Sequence, residues 1–229
     1  MQKVCRLFLI LFSVVLGTAS AQEVSETSGI SVELASLTRA ESMTRLASVK
    51  VQTERGYGSG VVIQIGKKKV VFTAHHVIEN TSRIVVSSSE SFSSASVLYT
   101  DEENDFAVLK IESSDGFKSV RFRPRVDSQS STIGTRVHYS GHPAGHSLLT
   151  IRGSIAGIDR GCYIAQSYAW MGASGSGVFS SSGKLVGILT AIDFSRGGVV
   201  PQLVESIVWI VPVSNIDMQE VEKAIQEKL

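Results

Sequence analysis

The chain has 229 residues, 43% hydrophobic and 19% charged, a balance that excludes disorder throughout and supplies one sizeable core or two small ones. Its 22 Lys and Arg stand against 21 Asp and Glu for a formal net charge of +1, which gives no sign of a nucleic-acid or anionic-membrane partner.

At the N-terminus, Lys3 and Arg6 precede the apolar stretch LFLILFSVVLG, and Ala19, Ser20 and Ala21 place small residues just before Gln22. This is the layout of a secretory signal peptide over residues 1–21, and it implies a secreted or periplasmic protein. The rival reading is a retained membrane anchor, but a spanning helix needs about 20 apolar residues and this run is much shorter. Cys5 lies before the run, where a lipid-attachment cysteine would follow it. Cleavage removes Lys3 and Arg6 and no acid, leaving 20 basic residues against 21 acidic ones, a net −1, and no stable membrane anchor. Cys162 is then the one thiol, so no internal disulfide can form; it reads as a small buried residue.

Residues 22–46 are polar and read as a linker in which LASLTRAESMTRLA has the makings of a short amphipathic helix. From residue 47 to 229 the texture is that of one domain. Short β-branched runs follow one another: SVKVQT, SGVVIQI, KVVFTA, RIVVSS, ASVLYT, FAVLKI, RVHYSG, LTIRGSIAGI, GCYIAQS, SGVFSS, KLVGILTAI and VWIVPV. Close spacing and Gly, Ser, Asn and Asp between them argue for an all-β sandwich or a pair of barrels. The serine-rich SSSESFSSAS at 87–96 reads as a solvated hairpin loop. The last segment carries Ile216, Val221, Ile225 and Leu229 among charges, the pattern of an amphipathic helix docked on the sheet.

Several stretches could carry chemistry. GYGSG, residues 56–60, has the glycines of a nucleotide-binding loop, but such a loop opens a helix and here a strand follows, so a glycine-relaxed strand turn is the reading. His138, His142 and His146 fall at helical spacing for a metal, yet Gly141, Pro143 and Gly145 interrupt any helix, and no metal or other cofactor is expected. In FTAHHVI, His75 and His76 end an apolar run, where imidazole could be a base or filler. Asp105 enters the strand FAVLKI and alone reads as a solvated strand end. In GASGSGVF, Ser174 is flanked by Gly172, Ala173 and Gly175, small residues that let backbone N–H groups converge on one point, as an acyl-transfer oxyanion needs. The hydrolase elbow wants Gly two residues after its serine and a helix; position 176 is Ser and a strand follows.

The order His, Asp, Ser on a many-stranded chain is one of the known orders of the serine-protease triad. These segments resemble the chymotrypsin-fold, trypsin-like serine proteases, in their HtrA/Deg branch, over about Ser48 to Asn215. FTAHHVI resembles T-x-x-H-V, which puts the base at His76 and leaves His75 as its neighbour on the other face of the strand. NDFAVLKI resembles D-L-A-V-L-K-I, with Asp105 as the acid, and GASGSGV is similar to G-N-S-G-G, with Ser174 as nucleophile. GHPAG is similar to G-N-P-x-G, and GKLVGILTAI to G-x-L-I-G-I-N-T-A-I.

The resemblance implies two packed six-stranded antiparallel β-barrels with a C-terminal α-helix, and peptide-bond hydrolysis through His76, Asp105 and Ser174. It places the oxyanion hole at the backbone N–H groups of Gly172 and Ser174. It places a specificity pocket near Tyr168, Leu189, Thr190 and Ala191; Tyr168 stands where Lys/Arg-specific members carry Asp, so a small or medium apolar residue is expected before the cut. The partners implied are polypeptides, with unfolded proteins as one candidate class. Ala173, Ser176 and Gly177 depart from the family's letters; all are small, so the turn should survive, and Ser176 has the most scope to disturb it. No activation sequence of the I-V-G-G type and no PDZ module is evident. A protease fold that holds exposed hydrophobic segments without cutting them, and an esterase, are the competing readings.

Overall fold

Residues 61–63 (VVI), 70–72 (VVF) and 106–109 (FAVL) are apolar without alternation, which in a strand means burial on both faces. In the computed structural model, which describes residues 37–125, 132–195 and 202–229, each of these runs lies at a boundary between two cores. The expected signal segment 1–21 and the linker up to residue 36 lie outside the described residues.

The first barrel is built from β1 (Ser48–Thr53), β2 (Gly56–Ile65), β3 (Lys68–Thr73), β4 (Ile84–Ser87), β5 (Phe92–Asp101) and β6 (Phe106–Ile111), hydrogen-bonded in the order β1-β4-β5-β6-β3-β2. It closes because β2 pairs twice: Gly56 to Val61 with β1, and Val61 to Ile65 with β3. A two-residue strand, β7 (Val120–Arg121), adds in parallel to β2. The second barrel is β8 (Arg136–Gly141), β9 (Leu149–Asp159), β10 (Cys162–Gln166), β11 (Gly177–Ser180), β12 (Leu185–Ser195) and β13 (Gln202–Pro212), closed in the order β10-β13-β12-β11-β8-β9. The expected pair of six-stranded antiparallel barrels is the fold found.

Side-chain alternation sorts the apolar residues into layers. Val62, Val71, Ala107 and Leu109 fill the first barrel with Val49, Val51 and Val86. Their neighbours Val61, Ile63, Val70, Phe72, Phe106 and Val108 face out, and meet Phe179, Leu185 and Ile188 from the second barrel. Tyr139, Ile155, Val178, Leu189 and Ile210 fill the second barrel. The middle layer welds the two, with Phe72 and Phe106 edge to face at 5.0 Å between ring centroids.

Helices seal the layers at the two ends of the described chain. α1 (Arg39–Ala47) starts at a capping box, in which Thr38 Oγ1 accepts from the Glu41 N–H and Glu41 returns the bond to the Thr38 N–H. Its buried face, Glu41, Thr44 and Ala47, docks on the second barrel through Thr44 Oγ1 and His138 Nε2, 3.0 Å apart, and through Arg152 and Glu41. α3 (Met218–Lys228) is capped by Asp217 and buries Val221 and Ile225 in the middle layer, the amphipathic helix the sequence predicts.

Two elements differ from expectation. β5 begins at Phe92, so half of the serine-rich stretch is strand: pairing with both β4 and β6 satisfies its backbone, and serine is tolerated on a half-exposed face. Residues 75–78 form a single helical turn, α2 (His75–Ile78), in place of a strand end, because β3 stops at Thr73.

Candidate active site

Each candidate residue sits just outside a strand end, where the backbone is free to turn and the side chain can leave the sheet. His76 is in α2, directly after β3; Asp105 directly precedes β6; Ser174 lies between β10 and β11. The first two belong to the first barrel and the third to the second, so the site lies across their junction.

Asp105 is set by its turn. Asn104 donates from its backbone and side chain to the Asp101 carboxylate, at 3.0 and 2.8 Å, and Asp105 follows with a left-handed φ of 48°. Asp and Asn tolerate that conformation better than other side chains with a Cβ. The carboxylate so placed accepts twice from His76: from the backbone N–H at 2.9 Å and from Nδ1 at 2.7 Å. With Nδ1 facing a carboxylate, the proton of a neutral ring belongs on Nδ1, and Nε2 is left with a lone pair. His75 makes no such contact. It diverges from His76 by the roughly 100° step between consecutive helical residues and not by strand alternation.

Ser174 reaches this pair through a tight loop. A Cβ on Gly175, whose φ is +88°, would stand 2.3 Å from Thr73 Oγ1 and 3.1 Å from the Ala74 nitrogen, so the loop is pressed against the strand end that leads into His76. The Ser174 hydroxyl donates to the Thr190 carbonyl at 3.3 Å; no hydrogen bond joins it to His76 among the described residues.

Around Ser174 every carbonyl from 170 to 174 has a donor. Trp170 C=O accepts from Ala173 N–H (2.9 Å), Met171 C=O from Ala144 N–H (2.8 Å), Gly172 C=O from Ser59 Oγ (2.7 Å), Ala173 C=O from Ser176 N–H (3.1 Å) and Ser174 C=O from Ser59 N–H (2.7 Å). The N–H groups of Gly172 and Ser174 donate to no acceptor among the described residues. Gly172 has φ +95°, and a Cβ there would lie 2.5 Å from both the His142 carbonyl and the Tyr57 ring, so glycine is required twice over. Ser176 is fully buried, and its hydroxyl finds room because Gly141 opposite lacks a side chain: a Cβ there would be 2.2 Å from Ser176 Oγ.

Of the residues expected in a specificity pocket, Tyr168 is exposed, while its carbonyl accepts from Tyr139 Oη at 2.6 Å. Burial pushes the Tyr139 phenol well above its ordinary value, so it stays a donor. Leu189 packs inside the second barrel; its backbone brackets the loop, accepting from Gly175 N–H (2.7 Å) and donating to Ser176 C=O (3.0 Å). Thr190 is buried and Ala191 half-buried beside it. Tyr139 and Ser59 both escaped the sequence reading, because the partners that give them a role lie far along the chain.

His138, His142 and His146 do not share a face. The first is buried in β8, and the turn Pro143–Gly145 separates the others. Burial lowers the His138 pKa, and its Nε2 is engaged by Thr44.

Comparison with known proteins agrees with the fold. The model of the trypsin-like peptidase domain matches residues 58–188, which include His76, Asp105 and Ser174. A probable periplasmic serine protease, do/HhoA-like, from Haemophilus influenzae is 30% identical over 155 residues, covering 63% of this chain and 32% of the relative. The periplasmic serine endoprotease DegP of Escherichia coli is 28% identical over 151 residues, covering 62% of this chain and 31% of its own. The chain thus spans about a third of the length of these relatives. Among solved structures, a serine endoprotease from Yersinia pestis superposes with a TM-score of 0.66 at 24% identity, over 82% of this chain and 65% of that one. An inactive mutant form of Rv3671c from M. tuberculosis gives 0.64 at 15% identity, over 83% and 92%.

Proposed function

The chain belongs to the trypsin-like peptidase domain family, and from that premise we propose that it is a serine endopeptidase acting on polypeptides through an acyl-enzyme. The observation that carries the reading is the two-point bond between His76 and Asp105 beside a serine loop whose Gly172 and Ser174 N–H groups have no acceptor among the described residues.

In this reading Ser174 Oγ attacks the scissile carbonyl carbon as His76 Nε2 takes its proton. Asp105 holds Nδ1–H and stabilises the imidazolium that forms. The carbonyl oxygen becomes an oxyanion and receives the N–H groups of Gly172 and Ser174, each worth roughly 3 kcal/mol in related chemistry. Collapse breaks the C–N bond, the imidazolium gives its proton to the leaving amine, and water repeats the sequence to release the acid and restore Ser174. The first step in this reading requires the Ser174 hydroxyl to leave the Thr190 carbonyl and turn to His76.

The similar relatives are periplasmic proteases by name, and the segment over residues 1–21 supports export of this chain to the periplasm or beyond. A second reading, a fold that holds exposed apolar segments without cutting them, is favoured by one observation: the Ser174 hydroxyl rests on Thr190 and not on His76.

Labelling with a fluorophosphonate, read by mass spectrometry on the protein and on Ser174→Ala and His76→Ala, separates the two. A peptidase labels at Ser174, and labelling disappears in both variants. A folded protein that stays unlabelled even with unfolded polypeptide added is a binder, and the peptidase reading fails.

A further inference from the structure

The stretch GYGSG takes no part in the mechanism above, yet its Ser59 touches both ends of the nucleophile loop. We propose that Ser59 is a positioning residue for the oxyanion site: it never meets substrate, and it holds the backbone of Gly172 to Ser174 so that their N–H groups face one point. The proposal rests on the serine-peptidase reading and names the residue that sets its geometry.

Alternation along β2 decides where Ser59 points. Val62 faces the first barrel's interior, whereas Val61 and Ile63 face the second barrel, and Ser59 shares their parity. Its fully buried hydroxyl donates to Gly172 C=O at 2.7 Å and accepts from His142 N–H at 2.9 Å. An N–H cannot accept and a carbonyl cannot donate, so the single hydroxyl proton has one arrangement. The backbone is held as well: Ser59 N–H donates to Ser174 C=O at 2.7 Å, and Thr73 Oγ1 donates to Ser59 C=O at 2.8 Å.

A trans peptide is planar, with C=O and N–H on opposite edges, so pinning a carbonyl also pins the next residue's N–H. Ala144 on Met171 C=O fixes the plane that carries the Gly172 N–H, and Ser176 on Ala173 C=O fixes the plane that carries the Ser174 N–H. Ser59 fixes the plane between them through its hydroxyl and the plane after them through its N–H. Without the hydroxyl, the Gly172–Ala173 plane keeps only the Ala173 N–H bond to Trp170 C=O and loses its carbonyl anchor at a glycine, the residue that resists rotation least. Rotation there turns the two oxyanion donors away from each other.

Ser59→Ala deletes the hydroxyl and keeps the backbone bond. The control is Ser48→Ala, a buried serine whose hydroxyl donates to Thr44 C=O at 2.9 Å and not to the loop. Rates are expressed per site titrated with fluorophosphonate, so a partly folded sample does not mimic the effect. For Ser59→Ala we expect kcat to fall about 30-fold, a part of what losing a whole oxyanion donor costs. KM should stay within about twofold, and affinity for a peptide boronate, whose adduct on Ser174 carries the oxyanion, should fall in step with kcat. Ser48→Ala should lower Tm and leave both untouched. A purely structural role for Ser59 would lower Tm and the active fraction but not kcat per site. If Ser59→Ala does not fold, Ser59→Cys, which keeps the volume with a weak donor, is read the same way. Unchanged kcat per site in the folded variant, or a loss confined to KM, overturns the role of Ser59 while the peptidase reading stands; an unlabelled wild type overturns both.

Discussion

Asp105→Asn tests the chemistry of the site without disturbing its fold. Asn shares the tolerance of Asp for the left-handed backbone found at this position, φ 48°, so the turn should hold. The carboxylate accepts two bonds from His76, whereas an amide has one accepting end. The His76 backbone N–H can only donate, and facing it with the NH2 end would leave opposed donors at a cost of about 1–3 kcal/mol. The amide oxygen therefore takes the backbone N–H and the NH2 faces Nδ1. Nδ1 must then accept, the ring proton moves to Nε2, and the atom that should take the Ser174 proton is already protonated. Losing the negative charge beside the imidazolium removes a further interaction of about 4 kcal/mol for charges ~4 Å apart near a protein surface. Together these exceed about 5 kcal/mol, which is on the order of 10⁴ in rate. The assay is peptide hydrolysis and the rate of fluorophosphonate labelling, with Tm measured alongside. A folded Asp105→Asn variant that keeps activity within about tenfold of wild type would refute the argument, because no tautomer switch could then be controlling the base.

Gly175→Ala should abolish labelling at Ser174 and lower Tm, since the new Cβ would stand 2.0 Å from the Ser59 carbonyl oxygen and 2.3 Å from Thr73 Oγ1 at a φ of +88°. Gly66→Ala, also left-handed at φ +58° but with nothing within 4 Å, should cost only about 1–2 kcal/mol of backbone strain and no activity, so equal behaviour of the two would sink the close-approach argument. The Arg152 guanidinium hydrogen-bonded to Glu41 holds its carboxyl down to about 2, from an ordinary 4.5. The folded value is the lower one, so the stabilisation is complete above the ordinary value and is lost as pH falls from there towards 2. The full shift would amount to about 3 kcal/mol, but Arg152 is largely exposed and screened, so about 1 kcal/mol is expected. Unfolding free energies from urea titration of wild type and Glu41→Gln should differ by that amount near about pH 6 and by less than half of it near about pH 3; a difference that stays flat with pH would show that the charge contributes nothing.

The candidate triad could be picked out from sequence because residue type, order and neighbouring letters are all local signals. His76, Asp105 and Ser174 are polar residues at strand ends in a fixed order, and the structure places them across one junction. What was not legible depends on partners far along the chain. His75 and His76 follow the apolar run of β3 and so read as a strand end; where the ladder between β3 and β6 ends, at Thr73 opposite Ala107, is a property of both strands. β7 is two residues long and owes its existence to the free edge of β2, which no local pattern announces. The helical spacing of His138, His142 and His146 had no helix to act on.

GYGSG marks the limit most sharply. The strand pattern by itself left a sandwich and a barrel pair open until the resemblance chose the barrels, and physically the choice turns on whether β2 can bond along both edges. It can because Gly60 has no side chain: a Cβ there would meet Val71 at 2.7 Å and Val51 at 3.0 Å inside the barrel. Gly58 is constrained in the same way by Val77, at 2.6 Å. With those glycines turned inward, alternation sends Ser59 outward to residues more than a hundred positions away. The glycines that read as relaxing a turn therefore close the first barrel, and the same closure aims the one hydroxyl between them at the nucleophile loop of the second. A Gly60→Ala substitution would strain barrel closure and, through Ser59, the oxyanion site together, which neither a loose turn nor an independent loop would do.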